Sequence, residues 1–325
     1  MRNSLGSAHF SFVVTGGVGP SCTPSTPRTI LLAYSTDLNS TDGNYFYYLT
    51  AYLPGKPYWN TYAYVRLDMN YADDIHYFED FNAFNQSLYS NPPDPSRGYM
   101  DNTIGSDMFD VLKKMLKNTE NLCGSTVMIA AKRYPNEVEI EDLISDLQKN
   151  HVFVYVLSSD TPSGGSYPSA MFNVATRTNG YCVFSDDDDL PSVYKDAEIL
   201  TFQSNQIVAQ KFLVSGKGSQ TIPFKIFVNH GFDYVNIHII YQDHKVDGSL
   251  KSLNFNITDE FGYTTYSHYC SYFQYTECFD WLAVNNTVQY YLNIDYEYQV
   301  GRQEVMLVRM YSELYVPDHW LPFNN

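Results

Sequence analysis

The sequence is short of positive charge and of long apolar runs. Lys and Arg together number 20 against 36 Asp and Glu, a formal net charge of −16 over 325 residues. An acidic surface repels phosphate backbones, which argues against nucleic acid as a partner. No apolar run reaches the length that spans a bilayer, so we predict no membrane span. Met1–Phe10 lacks the charged-then-apolar pattern of a signal peptide.

Motifs of common catalytic and metal sites are also missing. The eight histidines include no His-x-x-x-His spacing, so the sequence does not predict zinc at such a motif. No Gly-x-Ser-x-Gly nucleophile elbow is present. Cys182 lies in an apolar strand pattern without a visible activating histidine, which predicts a buried free thiol rather than a nucleophile. We therefore predict no catalytic residue, no metal, no cofactor and no enzymatic activity.

Hydrophobic residues make up 44% of the chain and tyrosine alone contributes 30 residues. This apolar content suffices for real cores and argues against general disorder. Tyrosine is frequent both in strands and on wet contact surfaces, and we favour the first interpretation.

Residues 126 to 200 carry the clearest pattern. Thr126–Ala131 and His151–Leu157 are unbroken apolar runs, typical of parallel strands covered by helices on both faces. Between them, Asn136 followed by Glu139 predicts a capping box at the start of a helix. A further helix over Ser169–Arg177 ends at a typical left-handed stop before the next strand. The order predicts an α/β fold with a doubly wound, mostly parallel sheet.

Changes in composition and in hydrophobic periodicity divide the chain into three regions. Residues 1–28 form a Gly/Ser/Pro-rich lead that we expect to be flexible, and residues 29–200 form the α/β domain. Residues 201–325 lose helical periodicity and show short β-rich runs separated by turn residues, which predicts an antiparallel β-sandwich. Further elements predicted from pattern are strands Thr29–Ser35, Tyr62–Met69 and Ile75–Phe78, and helices Tyr45–Leu53, Asp80–Tyr89 and Ser106–Leu116.

Two disulfides are predicted, the first of them from strand order. Cys22 and Cys123 each precede a strand, and these strands are parallel neighbours in the proposed sheet, so both thiols fall at one end of it. Cys270 and Cys278 flank a Tyr/Phe-rich segment and could staple a hairpin. Five reduced thiols remain the alternative, because spacing does not fix connectivity.

Four Asn-x-Ser/Thr sequons are candidate glycosylation sites: Asn39, Asn85, Asn256 and Asn285. A chain this rich in Asn, Ser and Thr carries about four by chance, so the number does not discriminate.

Residues 29 to 200 resemble a von Willebrand factor A domain. Ile30–Asp37 stands where that family has its first strand and Asp-x-Ser-x-Ser loop, and Val127–Ala131 stands where its fourth strand ends in Asp-Gly. Ala175–Leu190 resembles its last helix, strand and exit. The high tyrosine content of the chain, and the absence of that family's metal ligands described next, also resemble those of secreted nematode proteins with degenerate A-type domains. The C-terminal part shows no resemblance.

The resemblance implies a divalent-cation site at the rim of the sheet, and the residues that match it form a vestigial set. Ala33 replaces the first aspartate, Ser35 keeps the first serine, and Asp37 replaces the second. The threonine falls near Thr103 or Ser106, and the final aspartate falls at Ala130 or Ala131. With both family carboxylates gone, too little charge remains to offset the dehydration of Mg²⁺.

One acidic run offers a different cation site. Asp186–Asp189 could bind calcium, but it also precedes a helix start at Pro191, where negative charge is favoured. We favour a solvated loop.

These patterns predict a secreted, extracellular, non-catalytic binding protein with a metal-free A-type domain and a protein or glycan partner. A second hypothesis is a weak cation-dependent adhesion module built from Ser35, Asp37, Thr103 and an unmatched acid. A third is an enzyme with a site between the two domains.

Overall fold

A computed structural model describes residues 22–39, 50, 53, 59–118, 122–197, 205–228, 231–270, 274–285, 288–299 and 301–323. The first part of the chain contains strands β1 (Arg28–Ser35), β2 (Trp59–Leu67), β3 (His76–Phe78), β4 (Thr126–Ala131), β5 (Phe153–Ser159) and β6 (Cys182–Ser185). Its helices are α1 (Phe81–Tyr89), α2 (Met108–Leu116), α3 (Glu141–Lys149), α4 (Pro168–Arg177) and α5 (Leu190–Ala197).

The first six strands form one sheet in the order β3-β2-β1-β4-β5-β6. All pairs are parallel except β2 with β3. Every residue of β1, β4, β5 and β6 is buried, as expected for parallel strands covered on both faces. The predicted α/β fold class with a mostly parallel sheet is confirmed.

One helix start differs from its prediction. The predicted capping box of Asn136 and Glu139 is wrong, because α3 begins at Glu141 with Ile140 at its N-cap and no side-chain capping bond. The Asn136 side chain instead donates to the Thr103 carbonyl at 2.8 Å. A tertiary partner thus takes the side chain that local pattern assigned to the helix. The predicted helix Tyr45–Leu53 falls where only two of its residues, Thr50 and Leu53, are described.

The second part of the chain is an antiparallel β-sandwich, as predicted. Its strands are β7 (Asn205–Ser215), β8 (Lys217–Phe224), β9 (Phe232–Ile240), β10 (Leu250–Asp259), β11 (Thr264–Cys270), β12 (Glu277–Asn285), β13 (Tyr290–Tyr298) and β14 (Gln303–Ser312). One sheet has the order β11-β10-β13-β8 and the other β12-β9-β14-β7. Strands β11 and β12 escaped prediction because their polar and aromatic residues lack a strong apolar alternation.

Both predicted disulfides are present, and Cys182 is a buried free thiol as predicted. Cys22–Cys123 anchors the chain just before β1, so residues 22–27 of the expected flexible lead are held against the α/β domain. Cys270–Cys278 does not staple a hairpin. Strand β11 pairs with β10 and β12 pairs with β9, so this disulfide joins the edges of the two sandwich sheets.

The α/β domain and the sandwich share buried surface. Ile240, Leu307 and Tyr311 of the sandwich belong to the same apolar core as the parallel sheet. The fully buried Arg309 guanidinium donates to the carbonyls of Asn179 and Gly180 at 3.0 and 2.9 Å. These contacts fix the sandwich against the end of α4.

No helix in the described ranges combines the length and apolar character that crossing a bilayer requires.

Candidate functional site

The strand order reverses between β1 and β4, since β2 and β3 lie on one side of β1 and β4 on the other. In open α/β sheets the crevice at the carboxyl ends of two such strands is the usual place for a ligand. Asp37 follows the end of β1 here, and Arg133 follows the end of β4. These two residues therefore meet at the position where the fold offers a site. We call this edge of the sheet the rim.

A buried ion pair lies at the rim. Arg133 Nη2 and Nε lie 2.9 and 3.1 Å from Asp37 Oδ2. Ser163 Oγ donates to the same oxygen at 2.5 Å. The side chains of Arg133 and Asp37 are only 2% and 9% exposed. A pair this buried is stable only when further hydrogen bonds satisfy its remaining donors.

Backbone carbonyls supply those further bonds to Arg133. Its Nη1 donates to the carbonyls of Asp101 and Ile104 at 2.9 and 2.7 Å, and its Nη2 donates to Tyr99 O at 2.9 Å. The guanidinium also lies over the Tyr99 ring, 5.5 Å from its centroid. One side chain thus holds the loop 99–104 against the rim.

Two glycines give the ion pair its room. A Cβ at Gly164 would lie 2.1 Å from Arg133 Nη1, and a Cβ at Gly98 would lie 2.3 Å from Asp37 Oδ1. Any larger residue at either position would collide with the pair, so these glycines allow a close backbone approach.

A second carboxylate lies buried beside the first. Asp68 follows β2 in a left-handed conformation with φ 65°, and its Oδ2 accepts from Ser35 Oγ. Its Oδ1 accepts from Asp107 N at 3.3 Å, while Asp68 N donates to Asp107 Oδ1 at 2.9 Å. Burial raises the pKa of Asp68 to about 7, and the nearby Asp107 carboxylate acts in the same direction against the Ser35 hydrogen bond. Burial therefore favours the protonated form of the Asp68 carboxyl.

The acidic run at the end of β6 is tied into the same rim. Lys132 Nζ contacts both carboxylate oxygens of Asp187 at 2.6 and 2.8 Å, and Ser159 Oγ at 3.0 Å. Asp186 Oδ1 accepts from Asp189 N at 2.9 Å, and α5 follows at Leu190. The predicted helix start after this run is confirmed. The two basic residues after β4 each pair with a rim aspartate.

The other residues of the predicted vestigial set lie in the strands and in the loop before α2. Ala33 is buried between Val65 and Ile129, and Ala131 is the last residue of β4. Ser106 Oγ accepts from Met108 N at the start of α2. Thr103 is exposed, and its hydroxyl donates to Asp101 Oδ1 at 2.7 Å.

These residues do not fit the divalent cation that the family resemblance implies. The Asp37 carboxylate faces a guanidinium, Ser35 faces Asp68, and Thr103 faces Asp101. Within the ranges that the structure describes, no three acidic, histidine or cysteine ligand atoms of the rim lie within 4.8 Å of one another. The cation that contacts Asp37 is the Arg133 guanidinium.

A pair of polar side chains does converge between the two domains. His238 Nδ1 of β9 lies 2.5 Å from Glu277 Oε1 of β12, and the histidine ring stacks on Tyr181 beside β6. Both side chains are 0% exposed. No solvent reaches this pair, so it joins the domains rather than forming an accessible site.

The four sequons differ in exposure. Asn39 and Asn285 are exposed, whereas Asn85 lies half-buried on α1. Asn256 lies half-buried in β10, where its Oδ1 accepts from Asn293 Nδ2 at 3.1 Å. Exposure favours Asn39 and Asn285 as acceptors of a glycan.

Comparison with known proteins adds the following. Residues 210–313 match a family model described as "Domain of unknown function (DUF7154)", which covers most of the sandwich and less than half of the chain. No curated protein matches.

Among solved structures, the von Willebrand factor type A protein from Catenulispora acidiphila has a TM-score of 0.41 and 9% identity, over 89% of this chain and 64% of that one. The human COPII-coat protein Sec24c has a TM-score of 0.34 and 8% identity, over 90% of this chain and 44% of that one. The Yersinia pseudotuberculosis-derived mitogen has a TM-score of 0.22 and 9% identity, over 35% of this chain and 89% of that one. This chain thus spans less than two thirds of the first two. These TM-scores are too low to support a fold assignment. The fold described above therefore rests on the strand order of this chain alone.

Arg133 was not among the residues that the sequence singled out. It lies two residues after a buried apolar strand, but nothing in the spacing links it to Asp37, which lies 96 residues earlier. A basic residue placed immediately after a strand that ends at the reversal of strand order is the one signal that points to it.

Proposed function

We propose that this chain is an extracellular, non-catalytic binding protein that engages a protein or glycan partner through the rim loops of its A-type domain, without a metal. The observation that carries the proposal is the Arg133 guanidinium. It occupies the ligand crevice of the fold and holds the loop 99–104 through three carbonyls. A loop held this way is ordered before a partner arrives, which lowers the entropic cost of binding.

The rim loops present apolar side chains to solvent. Met100 and Tyr71 are 87% and 89% exposed, and Ile104 and Tyr167 are also exposed. Met100 and Ile104 lie on the loop that Arg133 holds, and Tyr71 lies in the loop after β2. Large exposed apolar side chains gathered at one edge are typical of interaction surfaces.

Two disulfides support an extracellular location, because oxidising compartments form and keep such bonds. Non-reduced mass spectrometry of the protein isolated from its natural source tests this part. A Cys22–Cys123 peptide pair is expected, and free thiols at both positions would contradict secretion.

Binding is tested by probing arrays of extracellular proteins and of glycans with the intact chain, in EDTA and in Mg²⁺. Ligands bound equally in both conditions, and bound at least tenfold more weakly by a Met100→Ser/Tyr71→Ser variant, support the proposal. A Tyr263→Ser/Tyr269→Ser variant is the matched control, since these exposed tyrosines belong to the sandwich. Ligands that require Mg²⁺ would favour the cation-dependent hypothesis, and retained binding by the rim variant would overturn the role of the rim.

A further inference from the structure

The loop between β9 and β10 carries a group of side chains that the proposed function does not use. Asp243, His244 and Asp247 lie in this loop, and Arg302 and Glu304 lie at the start of β14 beside it. We call these five residues the loop cluster. One ligand atom each from Asp243, His244 and Glu304 lies within 4.8 Å of the other two.

We propose that the loop cluster binds one Zn²⁺ ion through His244 Nδ1, Asp243 Oδ1 and Glu304 Oε2, with water completing the tetrahedron.

The two distances from the histidine nitrogen fit this ion. Zinc bonds to histidine nitrogen and carboxylate oxygen are about 2.0–2.2 Å, so tetrahedral neighbours lie about 3.3–3.4 Å apart. Asp243 Oδ1 lies 2.9 Å from His244 Nδ1, and Glu304 Oε2 lies 3.7 Å from the same nitrogen. These two values bracket the required separation, so shifts of about half an ångström are sufficient.

Glu304 is an independent indication of a missing cation. Its side chain is 2% exposed. Its Oε1 is buried and accepts no hydrogen bond, although Arg302 Nε lies 2.5 Å away, and its Oε2 lies 3.7 Å from His244 Nδ1. A buried carboxylate oxygen without a hydrogen-bond donor is costly, and a metal ion bound by the Glu304 carboxylate would offset part of this cost.

The second imidazole nitrogen of His244, Nε2, already has the carboxylate partner that is typical of zinc-binding histidines. Asp247 Oδ2 lies 3.2 Å from His244 Nε2, so with zinc on Nδ1 the Nε2–H can donate to a carboxylate. The ion requires Arg302 Nη2 to give up its 2.6 Å contact with Nε2. The pairs of Arg302 with Asp247 and with Glu304 Oε1 remain.

Charge and access also favour a divalent ion. Three carboxylates face a single arginine, which leaves two negative charges when His244 is neutral. The Asp243 side chain is 45% exposed and that of His244 is 28% exposed, so an ion can enter from solvent. The loop itself is held in shape, because Gln242 Nε2 donates to the carbonyls of His244 and Lys245 at 3.0 and 2.6 Å.

The test is isothermal titration of the tag-free, disulfide-intact chain with ZnCl₂, and separately with MgCl₂ and CaCl₂. One equivalent of Zn²⁺ is expected to bind, and Mg²⁺ and Ca²⁺ are expected to bind at least tenfold more weakly. Glu304→Gln and His244→Gln should each weaken Zn²⁺ binding at least tenfold. Bound Co²⁺ should show the intense visible absorption of a tetrahedral site.

His268→Gln is the matched control. His268 is also a half-buried histidine paired with an aspartate, Asp280, but it faces the Cys270–Cys278 disulfide instead of further ligands. Arg302→Gln removes the competing cation and should tighten Zn²⁺ binding, which keeps the proposal testable if a ligand variant fails to fold. Absence of stoichiometric Zn²⁺ binding in both the wild type and Arg302→Gln overturns the proposal, as does an equal loss in the His268→Gln control. None of these outcomes depends on whether the rim binds a partner.

Discussion

The rim and the loop cluster both gather acidic side chains around an arginine, yet they differ in burial and in charge balance. At the rim the Arg133 guanidinium pairs with the Asp37 carboxylate, and both side chains are buried. In the loop cluster Arg302 is 44% exposed and faces both Asp247 and Glu304, with Asp243 close by. A buried site that contains its own cation leaves no charge for a metal, whereas a half-exposed site with surplus negative charge can accept one.

The largest expected effect is a difference in stabilisation between the two disulfides, one of which lies in each domain. Cys22–Cys123 closes a sequence separation of 101 residues and Cys270–Cys278 one of only 8. Loop-closure entropy predicts losses of about 4.7 and about 2.5 kcal/mol when each pair is replaced by serine. Urea unfolding of the two double-serine variants measures both values. Equal losses would show that the stabilisation by each disulfide does not depend on the length of the loop that it closes.

Next in size is the loss of the rim arginine. Arg133→Met leaves Asp37 as a buried charge without a cation and should lower the free energy of unfolding by about 3–5 kcal/mol. Arg302→Gln, at a half-exposed pair, should change it by less than about 1 kcal/mol. Thermal and urea unfolding compare the two variants. Adding Asp37→Asn to Arg133→Met should recover part of the loss, and no recovery would show that the carbonyl contacts of the loop 99–104 dominate.

A pH effect follows from Asp68 of the rim. Its pKa is raised from 3.8 to about 7 by burial, so the folded state holds a proton that the unfolded state has lost. Stability should fall as pH rises from about 4 to about 7 and level off above that, by up to a few kcal/mol. Asp68→Asn should flatten this decline when unfolding free energy is measured across the range. An unchanged slope in the variant would show that Asp68 ionises normally.

The smallest expected effect has the same sign and comes from the loop cluster. The hydrogen bond with Asp243, together with nearby carboxylates, raises the pKa of His244 against the opposing effect of burial. The resulting stability is fully present below about pH 6.5 and is lost as pH rises through the higher folded pKa. Because the pair is partly exposed, its size should stay below about 1 kcal/mol. Comparing His244→Gln with the wild type from pH 6 to 9, in the presence of EDTA, measures it.

Much of the architecture was predictable because burial leaves a local record. The apolar runs Thr126–Ala131 and His151–Leu157 identified central parallel strands, and both disulfides followed from strand order and cysteine placement. The predictions were wrong where a side chain contacts a residue distant in sequence and not a local one. The Asn136 side chain donates to the Thr103 carbonyl and does not cap the following helix. The Cys270–Cys278 disulfide joins two sheets and does not close one hairpin.

By itself, the sequence determined the α/β class of the first domain and the sandwich of the second. Periodicity, apolar runs and residue identity are local properties, so a single chain displays them. Only the tertiary structure decided that Arg133 would fill the rim beside Asp37, and that His244 would meet Glu304 from another strand. Such pairs join residues 60 to 96 positions apart, and their contact depends on strand register and on loop paths that no local pattern encodes.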